Sequence, residues 1–184
     1  VKNWKFQRSM PPICDAILRR RAIKQYTKES VSIEAIEYLR KVAVAIPTGH
    51  NTRHTEFAFV TNPRIIKTIS QAKGEKAEYM QHAKLLIVVM GIQNDGVTSI
   101  ATDMSIAAAM IQLACSDFGL ACSWEQFYGR KNVYGEDSER IVLDVLRLLN
   151  SPNRRVLCAL AIGYPAVQMP PADMHENGRI YMIE

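Results

Sequence analysis

The chain is poor in the residue patterns that announce metal, disulfide or membrane chemistry. Its 184 residues hold four cysteines and four histidines. Cys14, Cys115, Cys122 and Cys158 are widely spaced with no C-x-x-C pair. That removes zinc ribbons, iron–sulfur ligation and thioredoxin-type exchange from consideration. Each cysteine sits among apolar neighbours, the setting of a buried, reduced thiol. No apolar run reaches the ~20 residues that cross a bilayer. The opening Val1-Lys2-Asn3-Trp4-Lys5 lacks the apolar stretch of a secretory signal, so a cytoplasmic location and no membrane partner are expected. Repeats, low-complexity linkers and a Ser-His-Asp order are missing as well.

What remains is an ordinary globular balance, with 48% hydrophobic and 22% charged residues, enough for one domain with a sizeable core. The net charge of +5 permits nucleic-acid binding. Against it, the basic residues are scattered, and no zinc finger, RNP-type aromatic signature or long basic run is present. The one tight cluster is "LRRRAIKQYT" at 18–27, with Arg19, Arg20, Arg21 and Lys24. A small phosphate-bearing ligand explains one local cluster better than a polyanion does.

Periodicity orders the rest. Pro11-Pro12 opens a helix with Ile13, Ile17 and Leu18 on one stripe. Ser32 caps a second, carrying Ile36, Leu39, Val42, Ala43 and Ile46 and ended by Pro47. "TEFAFV" alternates as a strand does. Asn62-Pro63 starts a helix with Ile65, Ile66 and Ile69 on one face. "KLLIVVMG" reads as a buried strand. "DMSIAAAMIQLACSDFG" reads as a long central helix closed by Gly119, with small residues that allow close approach. "LACSW" reads as a short strand, "SERIVLDVLRLLN" as a helix opened by Ser138, and "RRVLCALAIGYP" as another buried strand. The interleaving gives one α/β or α+β domain. From Pro165 the pattern changes. Pro165, Pro170 and Pro171 make a stiff extended segment that ends in the β-prone "RIYMI", an arm suited to docking on a second subunit.

Three segments carry candidate chemistry, and each has a bland reading. Basic residues at a helix end complement its dipole. Asn51, in the loop "IPTGHNTRHTEF", is a turn residue that also offers a donor and acceptors to a flat heterocycle edge. In the central helix, Asp103 is a helix N-terminal charge and Gln112 a core amide.

In order and spacing, however, these segments resemble a family. "AILRRRAIKQY" resembles the opening R-R-S-x-R-x-[FY] motif of the nitroreductase family of flavoproteins. "AIPTGHNTRHTEF" resembles its A-P-[ST]-x-x-N-x-Q-x-x-x-F loop. "DMSIAAAMIQLACSDFGLACSW" resembles its central helix and G-L-x-x-x-W turn, and "VLCALAIGYP" its closing strand. The likeness spans roughly residues 13–165.

The resemblance implies an α+β, three-layer fold: a central, mostly antiparallel sheet flanked by helices, in an intertwined homodimer. Residues 1–165 would form a single FMN-binding domain and 166–184 an arm on the partner subunit. It implies FMN in a pocket between subunits, NAD(P)H as electron donor, and a small-molecule acceptor such as a nitroaromatic or quinone. Catalysis would need no protein nucleophile, because flavin N5 carries the chemistry. A flavin-binding or storage protein with little turnover is the alternative on the same fold. Position by position, Arg20 would pair with the FMN phosphate, Arg21 and Ala22 would contribute mainly backbone, and Lys24 would lie by the pyrimidine ring. Asn51 would contact the isoalloxazine edge, and Arg53 would place a positive charge near the flavin or near an acidic substrate. The turn after Trp124, around Glu125 and Gln126, would offer a backbone N–H to flavin N5. Arg179 would be a further phosphate ligand. Ala22 stands where the family has serine, Arg53 where glutamine is common, and Thr55 where tryptophan is frequent. Glu125-Gln126-Phe127 is bulkier than the glycine-containing turn.

Overall fold

The computed structural model describes residues 12–94 and 100–172, together with Ile180, Tyr181 and Ile183. A four-stranded sheet forms the middle layer: β1 (Thr55–Val60), β2 (Leu85–Ile92), β3 (Ala121–Gln126) and β4 (Arg154–Gly163). The order is β1-β2-β4-β3, and every neighbouring pair is antiparallel. The helices are α1 (Pro12–Arg19), α2 (Ile33–Ala45), α3 (Pro63–Gln71), α4 (Ile100–Ala114) and α5 (Ser138–Val145). No described helix is long and apolar enough to cross a membrane.

Both faces of β2 are covered, which is why its run is continuously apolar rather than alternating. Leu85, Ile87 and Val89 join Leu39, Met104 and Ile111 of α2 and α4 in one buried cluster. Leu86, Val88 and Met90 join Ile66 and Ile69 of α3 and Val142 and Leu143 of α5 in the other. The fold is therefore α+β in three layers, with an antiparallel sheet between helices. A bulge interrupts the β2–β4 ladder: Val89 pairs with Cys158 and Met90 with Val156. The carbonyl of the displaced Leu157 accepts from the N–H of Phe127 at 2.9 Å and of Tyr128 at 3.0 Å.

Local signals set several boundaries where the sequence puts them. The Ser32 side chain accepts from Ala35 N to cap α2, Asn62 caps α3 from Arg64 N, and Gly119, at φ 63°, closes the turn that follows α4. Two expectations are corrected. The cap of α5 is Asp137, whose carboxylate accepts from Glu139 N and Arg140 N, and Ser138 is the first helical residue. Ser138 and Glu139 are drawn inward by burial, so the neighbouring acid takes the capping position. The helix also ends at Val145, and Arg147 turns the chain at φ 58°.

Residues 166–172 do not leave the body but run back along the chain's own segment 18–27. Thr27 N donates to Tyr164 O at 2.9 Å, Ala166 N to Gln25 O at 3.0 Å and Ala172 N to Leu18 O at 2.8 Å. Proline stiffness makes this strap extended, as expected, but its backbone partners lie at the other end of the chain. Of "RIYMI", Arg179 and Met182 lie outside the described residues, and Ile180, Tyr181 and Ile183 belong to no element.

Candidate functional site

Helix α1 stops at Arg19, and Arg20 N makes the last helical bond, to Ala16 O at 2.9 Å. The basic cluster thus straddles a helix end and an extended segment clamped by the strap. Its three arginines meet different fates. Arg19 Nε donates to Asp15 Oδ1 at 2.7 Å, an exposed i,i+4 pair. Arg21 Nε donates to the carbonyl of Pro170 in the strap at 2.7 Å. Arg20 is half-buried and, among the described residues, has neither a salt bridge nor a side-chain hydrogen bond. A guanidinium withdrawn from water without a partner is costly. It lines a half-open cleft of about 200 Å³ with Gln112, Ser116, Leu120 and Cys122. Gln112 is therefore a wall of this cleft rather than a core amide. Burial pushes the thiols of Cys122 and Cys158 well above their usual values, so both stay protonated and unreactive.

The Asn51 loop lies elsewhere. A 3₁₀ turn, Gly49–Asn51, links α2 to β1. His50, Asn51 and Arg53 all have positive φ, at 52°, 53° and 51°. Such backbone costs on the order of 1 kcal/mol per residue, less for Asn and His, so the surroundings must hold it. Arg53 N donates to Thr48 Oγ1 at 2.9 Å, Arg53 Nε to Asn51 Oδ1 at 3.3 Å, and Thr52 Oγ1 to Gly49 O at 3.0 Å. Below the loop, Asp103 Oδ2 accepts from Gly49 N at 3.0 Å and lies 3.0 Å from His54 Nε2. That second contact is not aligned as a hydrogen bond and is an ion pair only when the imidazole is protonated. The other ring nitrogen of His54 meets Thr52 Oγ1. Asp103 is thus the buried anchor of the loop, a role that a bare helix N-terminal charge did not reveal.

Asp103 sits in the first turn of α4, whereas the Arg20 cleft opens beside Gln112 and Ser116. At 1.5 Å per residue, roughly 13–20 Å of helix separates them. A single chain does not bring Arg20 and Asn51 together.

The remaining candidates cluster near the edge strand. Lys24 Nζ lies 4.5 Å from the centroid of the Tyr79 ring. Ala22 is exposed and offers no polar side-chain group. Trp124, Glu125 and Gln126 are in β3, not in a turn after Trp124. The reason is non-local. Phe127 is fully buried and its N–H bonds the Leu157 bulge, so the strand continues two residues past Trp124. The pleat then divides the three. Trp124 Nε1 donates to Gln126 Oε1 at 2.8 Å on one face. Glu125 points to the other, where its carboxylate pairs with Lys73 and accepts from Tyr79 Oη at 3.3 Å. Burial, countered by a Ser123 contact and reinforced by the Glu125 charge, leaves the Tyr79 phenol pushed up to about 12.

The model of the nitroreductase family matches residues 17–89, from the basic cluster through most of β2. Over that stretch the chain is similar to the nitroreductase family. Its nitroreductase fold is shared with an FMN-dependent nitroreductase from Clostridium difficile R20291, at a TM-score of 0.84 and 23% identity, over 92% of this chain and 98% of that one. A "Putative NADH dehydrogenase/NAD(P)H nitroreductase" from Methanothermobacter thermautotrophicus is 24% identical over 172 residues, which is 92% of this chain and 86% of the relative. A solved structure of the same name from Bacteroides thetaiotaomicron VPI-5482 superposes at a TM-score of 0.83 with 25% identity, over 95% of this chain and 98% of that one.

Proposed function

We propose that this chain is an FMN-dependent NAD(P)H oxidoreductase that works as a homodimer. The observation that carries the reading is Arg20: a half-buried guanidinium with no partner among the described residues, lining a cleft that fits a phosphate. The names of the relatives, FMN-dependent in one case and NAD(P)H-linked in others, support the same class.

The residues present fit the cofactor in two halves. The Arg20 cleft is smaller than the roughly 300–1,000 Å³ that encloses a cofactor-sized ligand. One chain therefore supplies the phosphate end, and Asn51 and Arg53 reach the ring system from a second copy. The chain is prepared for such a copy, with Ile106 and Met110 of α4 each 42% exposed and Ile13 of α1 74% exposed. Residues beyond the strap, with Arg179, complete the contact with the partner.

The chemistry FMN supplies when bound is hydride exchange at N5, from NAD(P)H to a small electrophilic acceptor such as a nitroaromatic or quinone, in ping-pong order. The protein binds and orients. Arg20 holds the phosphate, and Arg21, fixed to the strap, sets the backbone beside it. Lys24 places positive charge by the pyrimidine ring, where reduced flavin is anionic. Asn51 offers a donor and an acceptor to the ring edge.

The test is the visible spectrum of the purified protein, followed by turnover. Flavin bands with FMN released on denaturation, and steady NAD(P)H oxidation with a quinone or nitroaromatic, are the expected results. A protein that binds no flavin contradicts the reading. A flavin-loaded protein without turnover supports the storage alternative.

A further inference from the structure

Near the edge strand, four side chains form a chain of contacts that cofactor binding does not require. Lys73 pairs with one oxygen of Glu125, and Tyr79 Oη donates to the other at 3.3 Å. The Tyr79 ring carries Lys24 Nζ at 4.5 Å on its face. Glu125 is 7% exposed, so its charge needs both partners. Lys24 is exposed, has no carboxylate partner among the described residues, and ends a flexible four-carbon stem. Among the described residues, only the ring locates its charge.

We propose that Tyr79 is the positioning residue for Lys24, with Glu125 and Lys73 holding Tyr79 in turn, so that this group sets how strongly reduced flavin is favoured over oxidised flavin. The inference rests on the reading of Lys24 as the cation beside the flavin pyrimidine. Two physical points support it. A phenol that donates to a carboxylate keeps its ring electron-rich, which strengthens the attraction for an ammonium. Tyr79, held protonated far above neutral pH, is always that donor. In addition, Glu125 neutralises Lys73, so the net positive charge of the group resides at Lys24. An edge strand with a glutamate here, in place of a glycine turn, thus gives Lys24 a fixed place rather than a wandering one.

The experiment compares the full-length protein with Tyr79→Leu, Tyr79→Phe, Lys24→Met and the Lys24→Met/Tyr79→Leu double variant. Flavin-free samples with ¹³Cε-labelled lysine come first, and Lys24→Met assigns the signal by its loss. The Lys24 ε-methylene signal is expected to be shifted upfield by the ring in wild type, less so in Tyr79→Phe, where the ring is no longer tied to Glu125, and to return to the free-lysine position in Tyr79→Leu. The midpoint potential of bound FMN comes second. Tyr79→Leu is expected to lower the affinity ratio of reduced to oxidised FMN about two- to fivefold, the range of an exposed cation–π contact. Tyr79→Phe, which keeps the ring but loses the bond to Glu125, should fall between wild type and Tyr79→Leu, and the double variant should fall no further than Lys24→Met. A Lys24 signal unaffected by Tyr79→Leu overturns the positioning role. So does a Tyr79→Leu effect that persists in the Lys24→Met background, which marks a general packing role. If Lys24→Met leaves the potential unchanged, the placement of Lys24 by the flavin fails instead, and the potential arm of the inference falls with it, whatever the labelled signal reports about the contact.

Discussion

On one side of the sheet, α3 and α5 bury their apolar stripes against β2 and β4, and neither helix carries an exposed large hydrophobic side chain among the described residues. On the other side, α2 and α4 bury one stripe and leave a second in solvent. Ile33 and Val44 of α2 are 80% and 81% exposed, and Ile106 and Met110 of α4 lie at the surface. Helix α1 buries nothing, and its Ile13 and Ile17 face outward. The first layer is finished within the chain. The second leaves apolar surface open, the surface that the proposed homodimer would cover, and it carries both halves of the candidate site, the Arg20 cleft at one end of α4 and the Asn51 loop at the other. The sides differ in polar chemistry too. The finished layer is locked by internal pairs, such as Glu139 with Arg155, whereas Arg20 in the unfinished layer has no pair among the described residues.

The largest expected effect breaks the unfinished layer. Ile106→Asp places a charge in the proposed interface, which costs roughly 3–5 kcal/mol of association, a hundredfold or more in dimer affinity. Sedimentation equilibrium should show monomers, and FMN content should fall with the dimer because both stabilise one state. A dimer that survives the change moves the interface off α4. The finished layer should respond in the opposite manner. Glu139 accepts from Gly129 N and Val156 N, both at 2.9 Å, and from the Arg155 guanidinium at 2.6 and 3.0 Å. Glu139→Gln leaves Arg155 short of its counter-charge, a loss on the order of 3 kcal/mol in urea unfolding. The dimer and its flavin stoichiometry should remain.

A smaller effect spans both layers and depends on pH. Burial raises Cys122 and Cys158, and raises Tyr26 and Tyr79, the last to about 12. The folded chain therefore keeps protons that the unfolded chain releases. Stability from these groups is complete below their unfolded values and is lost as pH rises from about 9 toward the folded values. The limit is ~1.4 kcal/mol per pH unit for each group. Thermal unfolding between pH 7 and 11 should show a plateau and then a decline, and Tyr79→Phe should make the decline shallower. Stability that rises above pH 9 contradicts the sign. The smallest effect is that of Arg19→Ala. Its exposed pair with Asp15 contributes at most ~0.5 kcal/mol, so the unfolding midpoint should barely move.

What could be read in the sequence was local. Strand β1, the Ser32 and Asn62 caps and the closure at Gly119 follow from period and capping chemistry within a few residues. The misreadings have distant causes. β3 runs to Gln126 because Phe127 is buried and bonded to a bulge thirty residues on. The strap 166–172 returns because its partners are at 18–27. Asp137 and Ser138 are both good caps, and only the burial of Ser138 and Glu139 decides between them. The basic cluster was visible as a cluster. The Asp15–Arg19 pair could have been read from its four-residue spacing, but the engagement of Arg21 by Pro170 could not, so it was the family resemblance, not the local chemistry, that pointed to Arg20, the arginine of the cluster with no partner among the described residues. Gln112 was visible as an oddity in an apolar helix, but its place beside Arg20 needed the fold.

The account stands on Arg20, and a flavin fluorescence titration of wild type, Arg20→Ala and Arg19→Ala tests it most directly. A charge-assisted Arg–phosphate contact contributes about 1.5–3 kcal/mol. Arg20→Ala should therefore weaken FMN binding roughly tenfold to a hundredfold, while Arg19→Ala stays within about twofold of wild type. Equal losses in the two variants, or none in Arg20→Ala, would contradict it.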